Sequence, residues 1–174
     1  DLKSLNVLLD KEGRCMIADL GLATNTQEKN VTTSGEVKVQ VREEGEDLSI
    51  EHTSKKGTVA WMAPEVLNTN YDKSVDVFSF AVVMWELITG RIPWQGEYSW
   101  PQHILMAVRR GERPQATEEE LANVPEGYVT LMNRCWARAP KSRPSFNVIL
   151  MKLRQIKTGK HVRGIFHHND FTEY

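Results

Sequence analysis

Residues 1–23 read DLKSLNVLLDKEGRCMIADLGLA, and this stretch predicts a small β-hairpin with polar residues at its open end. Short apolar runs at residues 7–9 and 15–18 flank a polar segment whose glycine suits a hairpin turn. A turn centred on residues 12 and 13 sets the register of the two predicted strands. That register pairs Leu9 with Met16, Val7 with Ala18, and Asn6 with Asp19.

The polar residues at the open end of this hairpin suit transfer of a proton or a phosphoryl group. Facing residues of an antiparallel pair have Cβ atoms about 4.5 to 5.5 Å apart, so the Asn6 amide oxygen and the Asp19 carboxylate are expected to meet at one cation. Few oxygen ligands, with room left for phosphate, suit Mg²⁺ better than zinc. Asp1 is placed to accept a proton from a hydroxyl, and Lys3 adds a positive charge. Taken singly, each residue is explained as a turn former, but the joint spacing favours a site.

The composition bounds the class of protein. The chain has 174 residues, 40% of them hydrophobic, which is enough apolar material for one globular core. Its 22 lysines and arginines nearly balance 23 aspartates and glutamates, so the chain has no large net positive charge that would favour binding to nucleic acid or to an anionic membrane. Two cysteines without metal-ligand spacing fit a reducing compartment. No targeting sequence is recognised, so a cytoplasmic location, or the cytosolic part of a larger protein, is expected from the chemistry alone.

A helical half is predicted from residue 75 onward. Apolar residues on nearly all sides of Val75 to Ile88 indicate a buried helix that Gly90 ends, and the run is too short to span a membrane. Three amphipathic helices are expected after it. They run from Pro101 to Gly111, around Leu131 to Trp136, and from Phe146 to about Gly159.

Two segments are predicted to be poorly ordered. Residues 26–55 are polar and include an acidic cluster at residues 43–47, which indicates an exposed segment. Alternating valines at positions 37, 39 and 41 allow one strand within it. The tail, residues 158–174, shows no clear period and is expected to be loosely attached.

DLKSLN resembles the catalytic loop H-R-D-L-K-x-x-N of protein kinases without its first two residues. ADLGLA is similar to the magnesium-binding D-F-G motif of the same family, with Leu20 in place of phenylalanine. The resemblance implies that Asp1 is the catalytic base and that Asn6 and Asp19 are ligands of Mg²⁺. It also implies that Lys3 contacts the phosphate in transfer, with ATP as the phosphate donor.

A second part of the resemblance lies at GTVAWMAPEVL, residues 57–67, which is similar to the substrate-docking loop and A-P-E motif of kinases. In the family, the glutamate at the position of Glu65 pairs with an arginine, and Arg143 stands at the corresponding place. Asp76 resembles the aspartate that opens the central helix and holds the catalytic loop by hydrogen bonds. The alternative for Asp76 is a first-turn acid that complements the helix dipole.

The resemblance is closest to the tyrosine-kinase-like group of serine/threonine kinases, such as mixed-lineage and Raf-like enzymes. Trp61, Cys135-Trp136 and Arg143-Pro144 carry this part of the resemblance. In the family, the lysine at position 3, together with a threonine at the position of Thr58, accompanies specificity for serine and threonine hydroxyls. A plain turn threonine is the alternative for Thr58.

The predicted fold is therefore mainly α, a protein-kinase-like C-lobe in which a helical bundle carries a small catalytic hairpin. Residues 1–157 form a partial kinase domain, with an extended activation segment at 19–65. No glycine-rich G-x-G-x-x-G loop and no strand lysine are found in the sequence, so the N-lobe is predicted to be absent and the isolated chain nearly inactive. The expected partners are ATP, a protein substrate and the missing N-lobe. A pseudokinase or C-lobe scaffold, and an unrelated Mg²⁺-dependent phosphotransferase, are the alternative interpretations.

The long activation segment predicts regulation by phosphorylation. It far exceeds the roughly 12 to 15 residues at which an unstructured loop becomes unusual. Thr53 and Ser54 lie beside Lys55 and Lys56, and phosphate there would add about 1.5 to 2 negative charges. Thr53 and Ser54 are the predicted phosphorylation sites. Weaker candidates are Thr32, Thr33 and Ser34.

Overall fold

The architecture consists of a two-stranded hairpin followed by a group of helices around one core. The computed structural model describes residues 1–20, 58–67 and 71–158. The strands are β1 (Val7–Leu9) and β2 (Cys15–Ile17), and the helices are α1 (Ser74–Thr89), α2 (Pro101–Arg110), α3 (Glu118–Leu121), α4 (Tyr128–Cys135) and α5 (Phe146–Lys157). Within these described ranges, short 3₁₀ turns cover Ser4–Asn6, Thr58–Trp61, Pro64–Leu67 and Pro140–Ser142. A mainly helical lobe with a small sheet matches the prediction.

The hairpin is present, but the predicted register is wrong by one residue. The pairs are Val7 with Ile17, Leu8 with Met16, and Leu9 with Cys15. The Asp10 N–H donates to the Arg14 carbonyl at 3.0 Å, which leaves a loop of three residues in place of the predicted two. Gly13 has a φ of 76° and closes that loop. A turn followed by a left-handed glycine is the usual three-residue hairpin connection, and it shifts every cross-strand pair by one position.

The side chain of Asp10 stabilises the same loop. One carboxylate oxygen accepts from the backbone N–H groups of Glu12 and Arg14 at 3.0 and 2.8 Å. The other accepts from the Arg14 guanidinium at 2.7 Å. The N–H of Arg14 is the main reason that the pKa of Asp10 lies below its ordinary value.

Helix α1 is buried along most of its circumference, as its composition predicts. Val77, Phe78, Val82 and Trp85 are among its buried residues, while Leu87 is exposed. Gly90 ends the helix in the left-handed conformation, and its N–H donates to the Glu86 carbonyl at 2.8 Å. The predicted buried helix and its glycine stop are both confirmed.

The remaining helices pack around α1. Helix α4 packs against α1 and α5, and the buried Cys135 of α4 is a free thiol whose pKa burial raises to about 12. The predicted helices α2, α4 and α5 are confirmed within a few residues. The short helix α3 was not predicted, although Thr117 and Glu120 form a reciprocal capping box at its start.

Several predictions fall outside the described residues. They are the valine strand at 37–41, most of the activation segment and nearly all of the tail. Within the described ranges, no helix combines the length and apolar character needed to cross a bilayer.

Candidate active site

The first six residues gather three polar side chains in one place. Lys3 donates from its ammonium to Asp1 Oδ2 at 2.8 Å. The Asn6 amide nitrogen donates to the Asp1 carbonyl at 2.8 Å and to Asp1 Oδ2 at 3.3 Å. Lys3 and Asn6 are both 7% exposed, so these bonds lie largely out of water. The 3₁₀ turn Ser4–Asn6 brings Asn6 back toward Asp1 and makes this convergence possible.

A residue far away in sequence completes this cluster. Lys3 also donates to the Thr58 hydroxyl at 2.8 Å, and Thr58 is 6% exposed. Thr58 begins a 3₁₀ turn whose four residues are all buried, because the turn packs against α1 and α2. The structure therefore joins Asp1, Lys3 and Thr58 into one hydrogen-bonded chain. A lysine ammonium has three donors, so one remains for a further acceptor.

The carboxylate of Asp1 has two unlike oxygens. Its Oδ2 is held by Lys3 and Asn6, whereas its Oδ1 is buried and has no hydrogen-bond partner among the described residues. A buried carboxylate oxygen without a partner is costly and calls for an explanation.

Asn6 and Asp19 lie at the same end of the hairpin, although they do not face each other. The Ala18 N–H donates to the Asn6 carbonyl at 2.8 Å, so Asp19 is the next residue beyond the partner of Asn6. The predicted pairing of Asn6 with Asp19 is therefore wrong, because the three-residue loop shifts the register by one residue. Asp19 has a φ of 58°, a conformation that is uncommon outside glycine and that recurs at functional sites.

The donor set at this end suits a hard cation. Within the described part of the chain, both side-chain hydrogen bonds of Asn6 are made by the amide nitrogen, which directs that nitrogen to Asp1 and leaves the amide oxygen for another partner. The carboxylate of Asp19 is on an exposed residue at the mouth of the hairpin. One amide oxygen and one carboxylate fit Mg²⁺ and leave most of its coordination positions to phosphate and water.

Glu86 is a component of the site that the sequence interpretation missed. One carboxylate oxygen accepts from the Ser4 hydroxyl at 2.8 Å, and the other accepts from the Trp61 indole N–H at 2.8 Å. The sequence showed Glu86 only as an interruption in an apolar helix. A charged residue near the end of such a helix was the available signal, because a partly buried charge needs partners.

Glu65 and Arg143 form a bidentate ion pair. Arg143 Nη1 donates to Glu65 Oε1, and Arg143 Nη2 donates to Glu65 Oε2 at 3.0 Å. The same guanidinium donates to the carbonyls of Ser74 and Ala137 at 3.0 and 2.9 Å. Its side chain is fully buried. Arg143 thus ties the segment after the docking loop to the start of α1 and to the segment after α4.

Asp76 lies in the first turn of α1. Among the described residues, no hydrogen bond joins its carboxylate to the loop at residues 1–6. The predicted role in holding that loop remains a prediction, and the observed position fits the helix dipole. Thr53 and Ser54 lie outside the described residues.

Comparison with known proteins identifies the family. Residues 1–153 match the family of protein tyrosine and serine/threonine kinases, and the chain belongs to it. The resemblance inferred from the motifs is confirmed.

Three relatives illustrate the match. The chain is 34% identical over 157 residues to a probable LIM domain-containing serine/threonine-protein kinase of Dictyostelium discoideum, covering 90% of this chain and 20% of that protein. It is 34% identical over 158 residues to serine/threonine-protein kinase STY17 of Arabidopsis thaliana, covering 90% and 23%. It is 41% identical over 106 residues to mitogen-activated protein kinase kinase kinase 7 of Homo sapiens, covering 60% and 17%. The chain spans about a fifth of the length of these relatives.

Proposed function

We propose that this chain is the C-lobe of an enzyme that transfers the γ-phosphate of ATP to serine and threonine hydroxyls of proteins. The observation that carries the proposal is the buried chain of hydrogen bonds from Asp1 through Lys3 to Thr58. Family membership and the names of the relatives support it. The free thiols and the absence of a spanning helix in the described residues are compatible with a cytosolic reaction.

Asp1 acts as the proton acceptor in this proposal. Lys3 and Asn6 fix its Oδ2, so the carboxylate cannot rotate freely, and its Oδ1 has no hydrogen-bond partner among the described residues. A substrate hydroxyl that donates to Oδ1 is oriented for attack, and its proton passes to the carboxylate as the bond from its oxygen to the γ-phosphorus of ATP forms. The bond from that phosphorus to the bridging oxygen breaks in the same step, and ADP leaves. General acid–base assistance of this kind is worth about 10² to 10⁴ in rate.

Lys3 and Thr58 align the substrate with Asp1. The Thr58 hydroxyl fixes the docking loop at the Lys3 ammonium, while the remaining donor of that ammonium is available to a transferring phosphoryl oxygen. The loop and the base therefore share one anchor. This arrangement supports the assignment of a short aliphatic hydroxyl, serine or threonine, as the acceptor.

Asn6 and Asp19 would hold Mg²⁺. The metal would neutralise charge on the phosphate oxygens of ATP. The chain's own contribution is to orient the Asn6 amide through Asp1 and to present Asp19 from a left-handed backbone conformation.

A nucleotide-binding N-lobe is required to complete the site. The sequence contains neither the glycine-rich loop nor the strand lysine that holds ATP in the family. Both faces of the hairpin expose apolar side chains: Leu8 and Met16 on one face, Leu9 and Ile17 on the other. A two-stranded hairpin exposed on both sides is marginally stable by itself, so we infer that further protein covers it.

The test uses a protein that joins this chain to an N-lobe. Asp19→Ala should abolish phosphoryl transfer, and Asp1→Asn should lower kcat by about 10² to 10⁴ while nucleotide still binds. Glu119→Gln, on an exposed part of α3, is the matched control and should retain full activity. Phosphoamino-acid analysis should give phosphoserine or phosphothreonine.

Three outcomes would contradict the proposal. Wild-type turnover in either site variant would overturn the assigned roles. Phosphotyrosine as the sole product would overturn the hydroxyl specificity. Tight binding of a protein partner without any transfer would favour a scaffold or pseudokinase in place of an enzyme.

We further propose that phosphorylation at Thr53 or Ser54 activates the enzyme. Phosphate there adds charge close to Lys55 and Lys56 and just before Thr58, so it can order the entry to the docking loop. In the joined protein, a Thr53→Ala, Ser54→Ala double variant should stay at basal activity after incubation with ATP, and Ser99→Ala, at an exposed hydroxyl outside the activation segment, serves as the control. Full activation of the double variant would eliminate the switch.

A further inference from the structure

The carboxylate of Glu86 bridges the two loops that carry the candidate site. Ser4 belongs to the 3₁₀ turn between Lys3 and β1, and its hydroxyl donates to Glu86 Oε1 at 2.8 Å. Trp61 ends the 3₁₀ turn that Thr58 begins, and its indole N–H donates to Glu86 Oε2 at 2.8 Å. Each oxygen of the Glu86 carboxylate therefore accepts a hydrogen bond from a different one of the two loops.

Glu86 is half-buried, and the Trp61 end of its contacts is largely shielded from water. Its neighbour Trp85 and its partner Trp61 are 2% and 5% exposed. The indole N–H of a buried tryptophan needs an acceptor, and hydrogen bonds to a charged acceptor are the stronger ones. Removing the Glu86 carboxylate would therefore leave a buried donor unsatisfied, and the loop would have to move to satisfy it.

A second bond from α1 holds the same turn. The Ser79 hydroxyl donates to the Trp61 carbonyl at 2.8 Å. Trp61 is therefore held at its backbone by Ser79 and at its ring by Glu86, both on α1. Within the described residues, the hydrogen bond of the Ser4 hydroxyl goes to Glu86. Glu86 is thus the shared connection. The hydrogen-bonded residues Lys3 and Thr58 belong to the same two loops, one residue before Ser4 and three residues before Trp61.

We infer that Glu86 is a positioning residue that holds the docking loop in register with Asp1. The inference rests on the proposed function, because register matters only if a protein hydroxyl reacts at Asp1. Misplacement of reacting groups by about 1 Å costs up to 10²-fold in rate. In ATP hydrolysis the phosphate acceptor is water, which the docking loop does not need to position. A shift of the docking loop relative to Asp1 should therefore reduce phosphorylation of a protein substrate more than it reduces hydrolysis of ATP.

The experiment measures the ratio of peptide phosphorylation to ATP hydrolysis in the full-length protein that carries this chain. Using the ratio removes any change in the fraction of folded enzyme, since that fraction affects both rates equally. Glu86→Ala should lower the ratio about tenfold, which is a modest part of the loss that misplacement can cause. Glu86→Gln should stay within about threefold of the wild type, because its amide oxygen can accept from Trp61 and its amide nitrogen can donate to the Ser4 hydroxyl.

Matched variants keep the inference testable if Glu86→Ala does not fold. Ser4→Ala and Trp61→Phe each remove one hydrogen-bond donor to Glu86, and each should lower the ratio of peptide phosphorylation to ATP hydrolysis. In the double variant, the fold decrease of this ratio should be smaller than the product of the two single decreases, because both residues act through Glu86. Glu97→Ala, an exposed glutamate outside α1 and both loops, is the control. An unchanged ratio in Glu86→Ala, or independent effects of Ser4→Ala and Trp61→Phe, would overturn the inference.

Failure of the proposed function would be recognised separately. If the wild-type protein transfers no phosphate to peptides, the proposed function is wrong. Hydrogen exchange at the Trp61 indole then decides whether Glu86 couples the loops. Faster exchange in Ser4→Ala than in the wild type supports the coupling, and equal exchange overturns it.

Discussion

The ammonium group of Lys3 contacts two residues, Asp1 and Thr58, that come from opposite ends of a long connection. Thr58 is 55 positions from Lys3 in the chain, and both contacts measure 2.8 Å. A lysine ammonium is a compact charge with three donors, so it can serve a carboxylate, a hydroxyl and a phosphate together. Arginine at this position would present a planar fork of a different shape, and the joint contact would be lost.

The Glu65–Arg143 pair leads to a prediction about stability. Breaking a buried ion pair by removing one partner costs about 3 to 5 kcal/mol, because the other charge stays buried without compensation. Glu65→Ala should therefore lower the free energy of unfolding by about 3 kcal/mol, measured by urea denaturation. Arg143→Lys should also destabilise, since one ammonium cannot replace the fork that reaches Glu65, Ser74 and Ala137.

Nearby Arg113 shows the electrostatic cost of this region. Burial, with the charge of Arg143 as a smaller cause, lowers the pKa of Arg113 to about 10.

Arg110→Lys is the matched control for the stability measurement, because that residue is exposed. Equal stability of Glu65→Ala and the wild type would show that the pair contributes nothing net.

At the scale of elements, the hairpin and α1 both depend on a glycine in a left-handed conformation. Gly13 has a φ of 76° and sets the register of the hairpin, while Gly90 has a φ of 65° and ends α1. A Cβ built at either position meets nothing within 4 Å. The requirement for glycine is therefore one of backbone conformation and not of space.

This leads to a prediction for Gly90. Gly90→Ala should cost about 1 kcal/mol, since L-residues pay roughly 1 to 2 kcal/mol in the left-handed region. For a chain of this size, the melting temperature should fall by about 2 to 4 °C. Gly90→Asn is the matched variant and should cost less, because asparagine tolerates that conformation. A larger loss for asparagine than for alanine in calorimetric melting would contradict the conformational explanation.

At the scale of the whole molecule, the described residues divide into a closed core and an open hairpin. The core around α1 buries Phe78, Val82 and Trp85, together with residues of α2, α4 and α5. By contrast, Leu9 and Ile17 of the hairpin are 69% and 65% exposed. The candidate catalytic residues thus lie between the packed core and an exposed apolar surface that is suited to contact with further protein.

The open hairpin leads to a prediction about nucleotide binding. The isolated chain should bind ATP weakly even with Mg²⁺, because its sequence lacks the glycine-rich loop and the strand lysine that hold the nucleotide in the family. Titration calorimetry is the measurement, and the protein joined to an N-lobe is the positive control. A micromolar dissociation constant for the isolated chain would contradict the expectation.

The sequence by itself determined the parts of the protein that depend on near neighbours. Asp1, Lys3 and Asn6 fall within six residues, so one 3₁₀ turn is enough to bring them together. Apolar periodicity and Gly90 likewise located α1. The register error arose within the same local range, because two-residue and three-residue loops compete for similar sequences. The hydrogen bonds of the Asp10 side chain and the left-handed φ of Gly13 favour the three-residue loop.

Only the tertiary structure decided which distant residues meet at the site. The pairing of Glu65 with Arg143 was expected from family resemblance and not from any periodicity. The same resemblance named Lys3 and Thr58 together as specificity residues, but their hydrogen bond was not predicted. The role of Glu86 was not expected at all, since a single acid in an apolar helix does not specify its partners. Those partners, Ser4 and Trp61, were chosen by how two loops pack on α1. Long-range packing selects which buried donor reaches which acceptor, and no local pattern contains that information.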